Sequence, residues 1–219
     1  MSKISTKVQQ EFRSAFAHRC IEAVQKGYDR MRLDKRYQVY WEEDNFTICL
    51  VETIKATKFL NQHRISVNHQ PPVYSEQMAF AGENPLNAPR VDFKFSEYHG
   101  PIEYNYYMEA KNLSEKDWKK PIGTKVRAAY QRDRYIRTGI ENYLSGRYPE
   151  GCLVAYVVNG KEANVLNALN RSIVSRQKDS PHIGLVQKDI SMTFDICYCS
   201  HNQLIGGIWT LRHLFLQLA

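Results

Sequence analysis

Hydrophobic positions recur every fourth residue through residues 8–31, where Val8, Phe12, Phe16, Cys20, Val24 and Met31 trace one side of a long helix. Lys7, Arg13, Arg19, Lys26, Arg30 and Arg32 fall between them and read first as a solvated face, second as a face for a phosphate backbone. A second helix is expected from about residue 46 to 59 on Phe46, Cys49, Leu50 and Ile54, capped by Asp44 or Asn45. A short extended segment, residues 65–68, stops at Gln70-Pro71-Pro72. Residues 73–89 have no period and are rich in turn formers, which predicts a long loop. The period then changes to two. Val91, Phe93 and Phe95 alternate with Arg90, Asp92 and Lys94, and after a turn at residues 97–101 a tyrosine-rich strand covers residues 102–110.

Helical spacing returns at residues 123–144, where Val126, Ala129, Tyr130, Asp133, Ile136, Ile140, Tyr143 and Leu144 form a stripe that Gly146 ends. Residues 152–158 are an unbroken apolar run, the pattern of a strand buried on both faces. A helix on Val165, Leu166, Leu169 and Ile173 follows over residues 161–174. Residues 192–199 and 208–218 complete the set as two strands, turning at residues 202–207. This order predicts an α/β protein with a central mixed β-sheet flanked by helices. No repeat or linker divides the chain, so one domain is expected over residues 1–219. It comprises an N-terminal helical extension (about 1–41), a core (about 42–174) and C-terminal strands (about 190–219).

The two period-two runs carry the chemistry. In the second, Tyr107, Glu109 and Lys111 share one face of a strand, and Tyr106, Met108 and Ala110 share the other. If the runs pair as a hairpin, Asp92 lies beside the Glu109–Lys111 face. Two carboxylates and an ammonium at one point suit a hard divalent cation and the hydrolysis of a phosphodiester. Asp92, Glu109 and the carbonyl of Ala110 are the expected metal ligands, and Lys111 is expected to position or deprotonate water or to stabilise developing charge. A further carboxylate near the start of the second helix would complete the shell. Glu43 is preferred and Glu52 is its rival.

Composition narrows the partners. The chain has 219 residues, with 30 Lys and Arg against 23 Asp and Glu, a formal net charge of +7 that favours a polyanion or simply solubility. Residues 1–7 lack the apolar core of a signal peptide, and no run is long enough to span a membrane. The five cysteines have no regular spacing, which argues for a reducing compartment, and a cytoplasmic location is expected. Cys197 and Cys199 have no second pair to make a zinc site and read as core thiols.

Pro89-x-x-Asp92 followed by Glu109-x-Lys111 in the next strand resembles the motif of the PD-(D/E)XK nuclease superfamily. The helix and buried strand that follow Lys111 stand where that fold has its crossover. The Pro-to-Asp spacing departs from an adjacent Pro-Asp pair. The resemblance covers about residues 42–174 and implies a restriction-endonuclease-like fold and a Mg²⁺- or Mn²⁺-dependent endonuclease acting on DNA. It further implies a nuclease component of a bacterial restriction or anti-phage system, with a homodimer or a partner subunit supplying target recognition. It places an accessory polar residue early in the crossover helix, where Tyr130 and Gln131 stand. Arg127, Arg134 and Arg137 on that helix are candidate phosphate contacts, although a solvated face is the plainer reading. Asp133 reads as an arginine partner, and His99 as an exposed turn residue. Two alternatives remain: an inactive nucleic-acid-binding or assembly subunit with the same fold, and a nuclease of RNA or branched DNA.

Overall fold

Side-chain alternation along one strand explains the layering. In β6 (Gly151–Asn159), Cys152, Val154, Tyr156 and Val158 point into one hydrophobic core, while Leu153, Ala155 and Val157 point into a second on the other face. An apolar residue at every position is what a strand covered on both sides requires. The computed structural model describes residues 6–35, 37–74, 84, 86 and 88–219.

Three helices cover the first face. They are α1 (Thr6–Asp34), α2 (Glu43–Lys55) and the short α3 (Phe59–His63). The first core includes Phe16, Cys20, Ile21 and Val24 of α1 together with Phe46, Leu50 and Ile54 of α2. Helix α1 is therefore built into the core and is more than an extension beside it. Gly27 is where α1 and α2 touch, since a Cβ there would lie 2.3 Å from Cγ1 of Ile54. Helix α2 begins at Glu43, with Asp44 and Asn45 already inside its first turn, so neither is the expected cap. Two acids in that turn suit the positive end of the helix dipole.

The sheet has seven strands: β1 (Ile65–His69), β2 (Phe93–His99), β3 (Ile102–Ser114), β6, β7 (Val186–Lys188), β8 (Cys197–Leu204) and β9 (Gly207–Gln217). Their order across it is β1-β2-β3-β6-β9-β8-β7. The three central strands β3, β6 and β9 are parallel, and the flanking pairs are antiparallel, which makes the sheet mixed. The C-terminal strands thus continue the same sheet. A separate ribbon, β4 (Trp118–Lys119) with β5 (Lys125–Val126), precedes the crossover helix.

That helix, α4, covers the second face together with α5 (Glu162–Arg176). It runs as Ala128–Arg134, then a π-helical stretch Tyr135–Ile140, then Glu141–Leu144. Tyr135, Ile136, Gly139 and Ile140 of the wider π turn are buried as two adjacent pairs on one face. His213 of β9 is buried against it, with Tyr135 Oη 2.9 Å from Nδ1 and Ser200 Oγ 2.9 Å from Nε2.

Several boundaries differ from those expected. Strand β2 begins at Phe93 and runs through Glu97 to His99, so the turn is only Gly100-Pro101 and Asp92 precedes the strand. Strand β3 extends to Ser114 because Leu113 and Ser114 are also buried. The ribbon takes the first residues assigned to the crossover helix. Strand β8 starts at Cys197, and its turn is Ile205-Gly206. Most of the expected loop 73–89 lies outside the described residues. Its flanks meet, with Val73 N–H donating to the Pro89 carbonyl at 2.8 Å. Among the described residues no helix is long and apolar enough to cross a membrane.

Candidate active site

The centre forms where β3 passes beneath the start of α2. Antiparallel register pairs Phe93 with Met108, which brings Asp92 beside Glu109 and Ala110. The main-chain N–H of Ala110 donates to Asp92 Oδ2 at 2.6 Å, in place of a further ladder bond. Alternation along β3 sends Glu109 and Lys111 to one side while Ala110 fills the first core.

Lys111 is 3% exposed and sits among three carboxylates. Its ammonium donates to Glu109 Oε1 at 2.5 Å, to the Ala110 carbonyl at 2.7 Å and to Glu43 Oε1 at 3.1 Å, and lies 4.0 Å from Asp92 Oδ2. Glu43 also accepts from the main-chain N–H of Asn112 at 3.2 Å through Oε2, tying α2 to β3. Arg134 of α4 reaches Glu43 Oε1 at 3.4 Å from the solvent side.

Three acids around one buried ammonium leave an excess of negative charge. Burial, with Lys111 only partly opposing it, raises the pKa of Asp92. Burial and then the neighbouring Asp92 raise that of Glu109. Desolvation alone would lower the pKa of Lys111, but Glu109, Glu43 and Asp92 together hold it above the usual lysine range. Lys111 is thus the internal counter-charge of the cluster and is held as an ammonium.

The donor set fits a hard cation. Glu109 Oε2 is buried without a hydrogen-bond partner among the described residues. An acceptor lacking a donor inside an over-negative cluster suits a positive ion. Carboxylate and carbonyl oxygens match Mg²⁺ or Mn²⁺ in hardness. Among the described residues no three His, Cys, Asp or Glu side chains form a preformed cage, because the acids are arranged around the ammonium. Two carboxylates and one carbonyl are enough for Mg²⁺, which ordinarily keeps several waters and takes substrate oxygens.

The structure brings Asp92, Glu109, Ala110, Lys111 and Glu43 together. Glu52 it places elsewhere, one helical face away, paired with Lys55 at 2.8 Å and exposed. Of the crossover arginines only Arg134 touches the centre. Arg127 stands on the rim of an adjoining cavity, and Arg137 is paired with Asp133 at 3.8 Å. Asp133 also pairs with Arg176, which makes it an arginine partner. Tyr130 is 60% exposed instead of packing in the core, and Gln131 accepts from Ser114 Oγ, both lining that same cavity. His99 pairs with Glu97 at 3.1 Å. Along α1, Arg13, Arg19, Lys26 and Arg30 each face a carboxylate. Sequence reasoning passed over Asn112, Trp41 and Trp118, which line the adjoining cavity, with Asn112 also bound to Glu43 of the centre. The signal for Asn112 was its place directly after Lys111, whereas nothing local marked the tryptophans.

Compared with protein-family models, with curated proteins and with solved structures, the chain finds no match in any of the three.

Proposed function

We propose that this chain is a metal-dependent nuclease of restriction-endonuclease-like architecture that hydrolyses phosphodiester bonds in DNA. The observation that carries the reading is the convergence of Asp92, Glu109 and Lys111 at β3, where one buried oxygen of Glu109 has no partner among the described residues. The parallel β3–α4–β6 crossover after Lys111 supports the same architecture. Asp92, Glu109 and the Ala110 carbonyl would hold Mg²⁺ or Mn²⁺. Such an ion supplies an activated water and charge relief at the phosphate.

The rest is the work of the chain's own side chains. Glu43 clamps the Lys111 ammonium and the Asn112 amide, which fixes Lys111 over the centre. As a permanent cation in a buried place, Lys111 favours the extra negative charge of a pentavalent phosphate over the ground state. Arg134 offers a guanidinium at the solvent edge, where an incoming phosphate arrives first. The surplus of basic residues favours the approach of a polyanion.

The test is cleavage of plasmid, linear duplex and single-stranded DNA, and of RNA, with Mg²⁺, Mn²⁺ or EDTA. Cleavage of DNA that EDTA abolishes, and that Asp92→Ala and Lys111→Ala each abolish, is the expected result. Cleavage that survives either substitution removes the assignment. A purified protein that binds nucleic acid and cuts nothing under any metal is instead a binding subunit.

A further inference from the structure

Beside the centre lies a cavity of about 250 Å³ that shares Arg134 and Asn112 with it. It opens between the start of α2, the ribbon β4–β5 and the first turns of α4. Trp41, Trp118 and Tyr130 line it. Lys120, Lys125, Arg127 and Arg134 bring four cations to it, of which Lys120 faces Glu42, Lys125 faces Asp117 and Arg134 faces Glu43. Lys120 is paired with Glu42, which fastens the ribbon to α2 along one side of the opening.

Two polar atoms of lining residues are buried beneath the cavity surface and lack partners among the described residues. Asn112 Oδ1 is an acceptor without a donor, and Trp118 Nε1 is a donor without an acceptor. The Asn112 side chain is otherwise fixed, since its Nδ2 donates to the Trp41 carbonyl at 3.2 Å. Arg134 belongs to both places, because it lines the cavity and contacts Glu43 of the centre.

We propose that this cavity receives a single unstacked nucleotide, with its base against the aromatic side chains and its phosphate on the basic rim. Aromatic side chains give a base a stacking surface, and cations track the phosphate. The volume is below the ~300–1,000 Å³ typical of drug-sized ligands, so one nucleoside is the size class and a stacked base pair is not. Because Arg134 is shared, a nucleotide held here lies next to the phosphate at the centre. The preferred substrate is then a strand with an unpaired nucleotide at the cut, as in single strands, flaps or ends. This last step rests on the hydrolytic reading, whereas nucleotide binding does not.

Two of the three tryptophans line the cavity, so intrinsic fluorescence reports on it directly. The wild-type protein is titrated in EDTA with deoxyadenosine monophosphate, deoxyribose 5-phosphate, inorganic phosphate, and a short single strand with or without one abasic position. Saturable quenching by the nucleotide but not by the sugar phosphate is expected, with weaker binding of the abasic strand. Trp118→Leu and Tyr130→Ala are each expected to weaken nucleotide binding by about 10-fold or more. Tyr130 is exposed, so its variant keeps the fold even if Trp118→Leu does not. Equal quenching by the sugar phosphate, or unchanged affinity in Tyr130→Ala together with a folded Trp118→Leu, overturns the proposal. Base-dependent quenching by a protein that cuts nothing keeps the cavity and removes the nuclease. DNA cleavage without base-dependent quenching does the reverse.

Discussion

Asp92 stands one residue before β2, and its carboxylate accepts the Ala110 amide at 2.6 Å. The side chain does the work that a main-chain carbonyl does along the rest of the ladder. Structure and charge can therefore be separated at this position. Asparagine keeps an oxygen that accepts the amide but loses the charge. Asp92→Asn should stay within about 1 kcal/mol of wild type in urea unfolding, yet lose at least ~100-fold in DNA cleavage. Asp92→Ala should lose both, by about 1–3 kcal/mol in stability. If Asp92→Asn cuts at the wild-type rate, the charge at this position is not used.

Glu43 and Glu52 lie nine residues apart on the same helix but in different surroundings. Glu43 bridges Lys111, Asn112 and Arg134, whereas Glu52 makes an exposed pair with Lys55. Glu43→Gln should cost about 1–3 kcal/mol of stability by weakening contacts to a buried ammonium. It should also lower cleavage. Glu52→Gln should stay within about 0.5 kcal/mol and leave cleavage unchanged. Parallel losses in the two variants would remove Glu43 from the centre.

A cation bound only by the folded centre should raise thermal stability. At ~100 times its dissociation constant such an ion adds about 2.7 kcal/mol. For a chain of this length that is a rise of roughly 5–10 °C. Differential scanning fluorimetry with Mg²⁺ or Mn²⁺ measures it, and Ca²⁺ checks ion size. Asp92→Ala and Glu109→Ala should abolish the rise. A rise of equal size in both variants would locate the ion elsewhere.

His213 sets a pH dependence away from the centre. Its burial lowers its pKa to about 3, and its ring nitrogens are engaged by Tyr135 and Ser200. The unfolded chain takes up this proton near pH 6.5, and the native protein does not. The stabilisation is therefore complete above about pH 6.5 and is lost as pH falls toward 3, by ~1.4 kcal/mol per unit. Between pH 7 and pH 5 the wild type should lose roughly 2 kcal/mol more than His213→Gln. Urea titrations at pH 7, 6 and 5 give the comparison, and parallel curves would show that the ring is not held neutral.

Gly27→Ala sets two effects against each other. Helix propensity favours alanine by about 1 kcal/mol. The added methyl would meet Ile54, which is fully buried, with the Ile54 main-chain nitrogen only 3.3 Å away. Overpacking of this kind costs about 1–3 kcal/mol, so net destabilisation is expected. A higher melting temperature would mean that α1 can shift away from α2.

Much of this arrangement was legible because burial imposes a period. The all-apolar run in β6 could only be a covered strand, and alternation placed Glu109 and Lys111 on one face without knowledge of any partner strand. Asp92 was placed on the correct side although it is outside the strand, because its carboxylate extends the ladder. Glu43 was preferred over Glu52 from its place at the start of α2, but ruling out Glu52 needed the crossing of α2 over β3, which no local pattern encodes. The ribbon β4–β5 was hidden because two-residue strands have no period. The aromatic cavity was hidden because Trp41, Trp118 and Tyr130 come from three separate segments.

The π-helical stretch of α4 marks the boundary between two jobs of one element. Gln131 and Arg134 before it are oriented toward the cavity and the centre, while Ile136, Ile140 and Tyr143 from it onward are oriented toward the sheet. At about 100° per residue the two groups fall on opposite sides of the helix, so one element serves both solvent-side chemistry and interior packing. The π turn holds an extra residue at that boundary, and deleting one residue between Tyr135 and Ile140 would let the helix relax into ordinary geometry while each end keeps its facing. The widened turn is therefore slack in the crossover, taken up between the end that meets Glu43 and the end that fills the core.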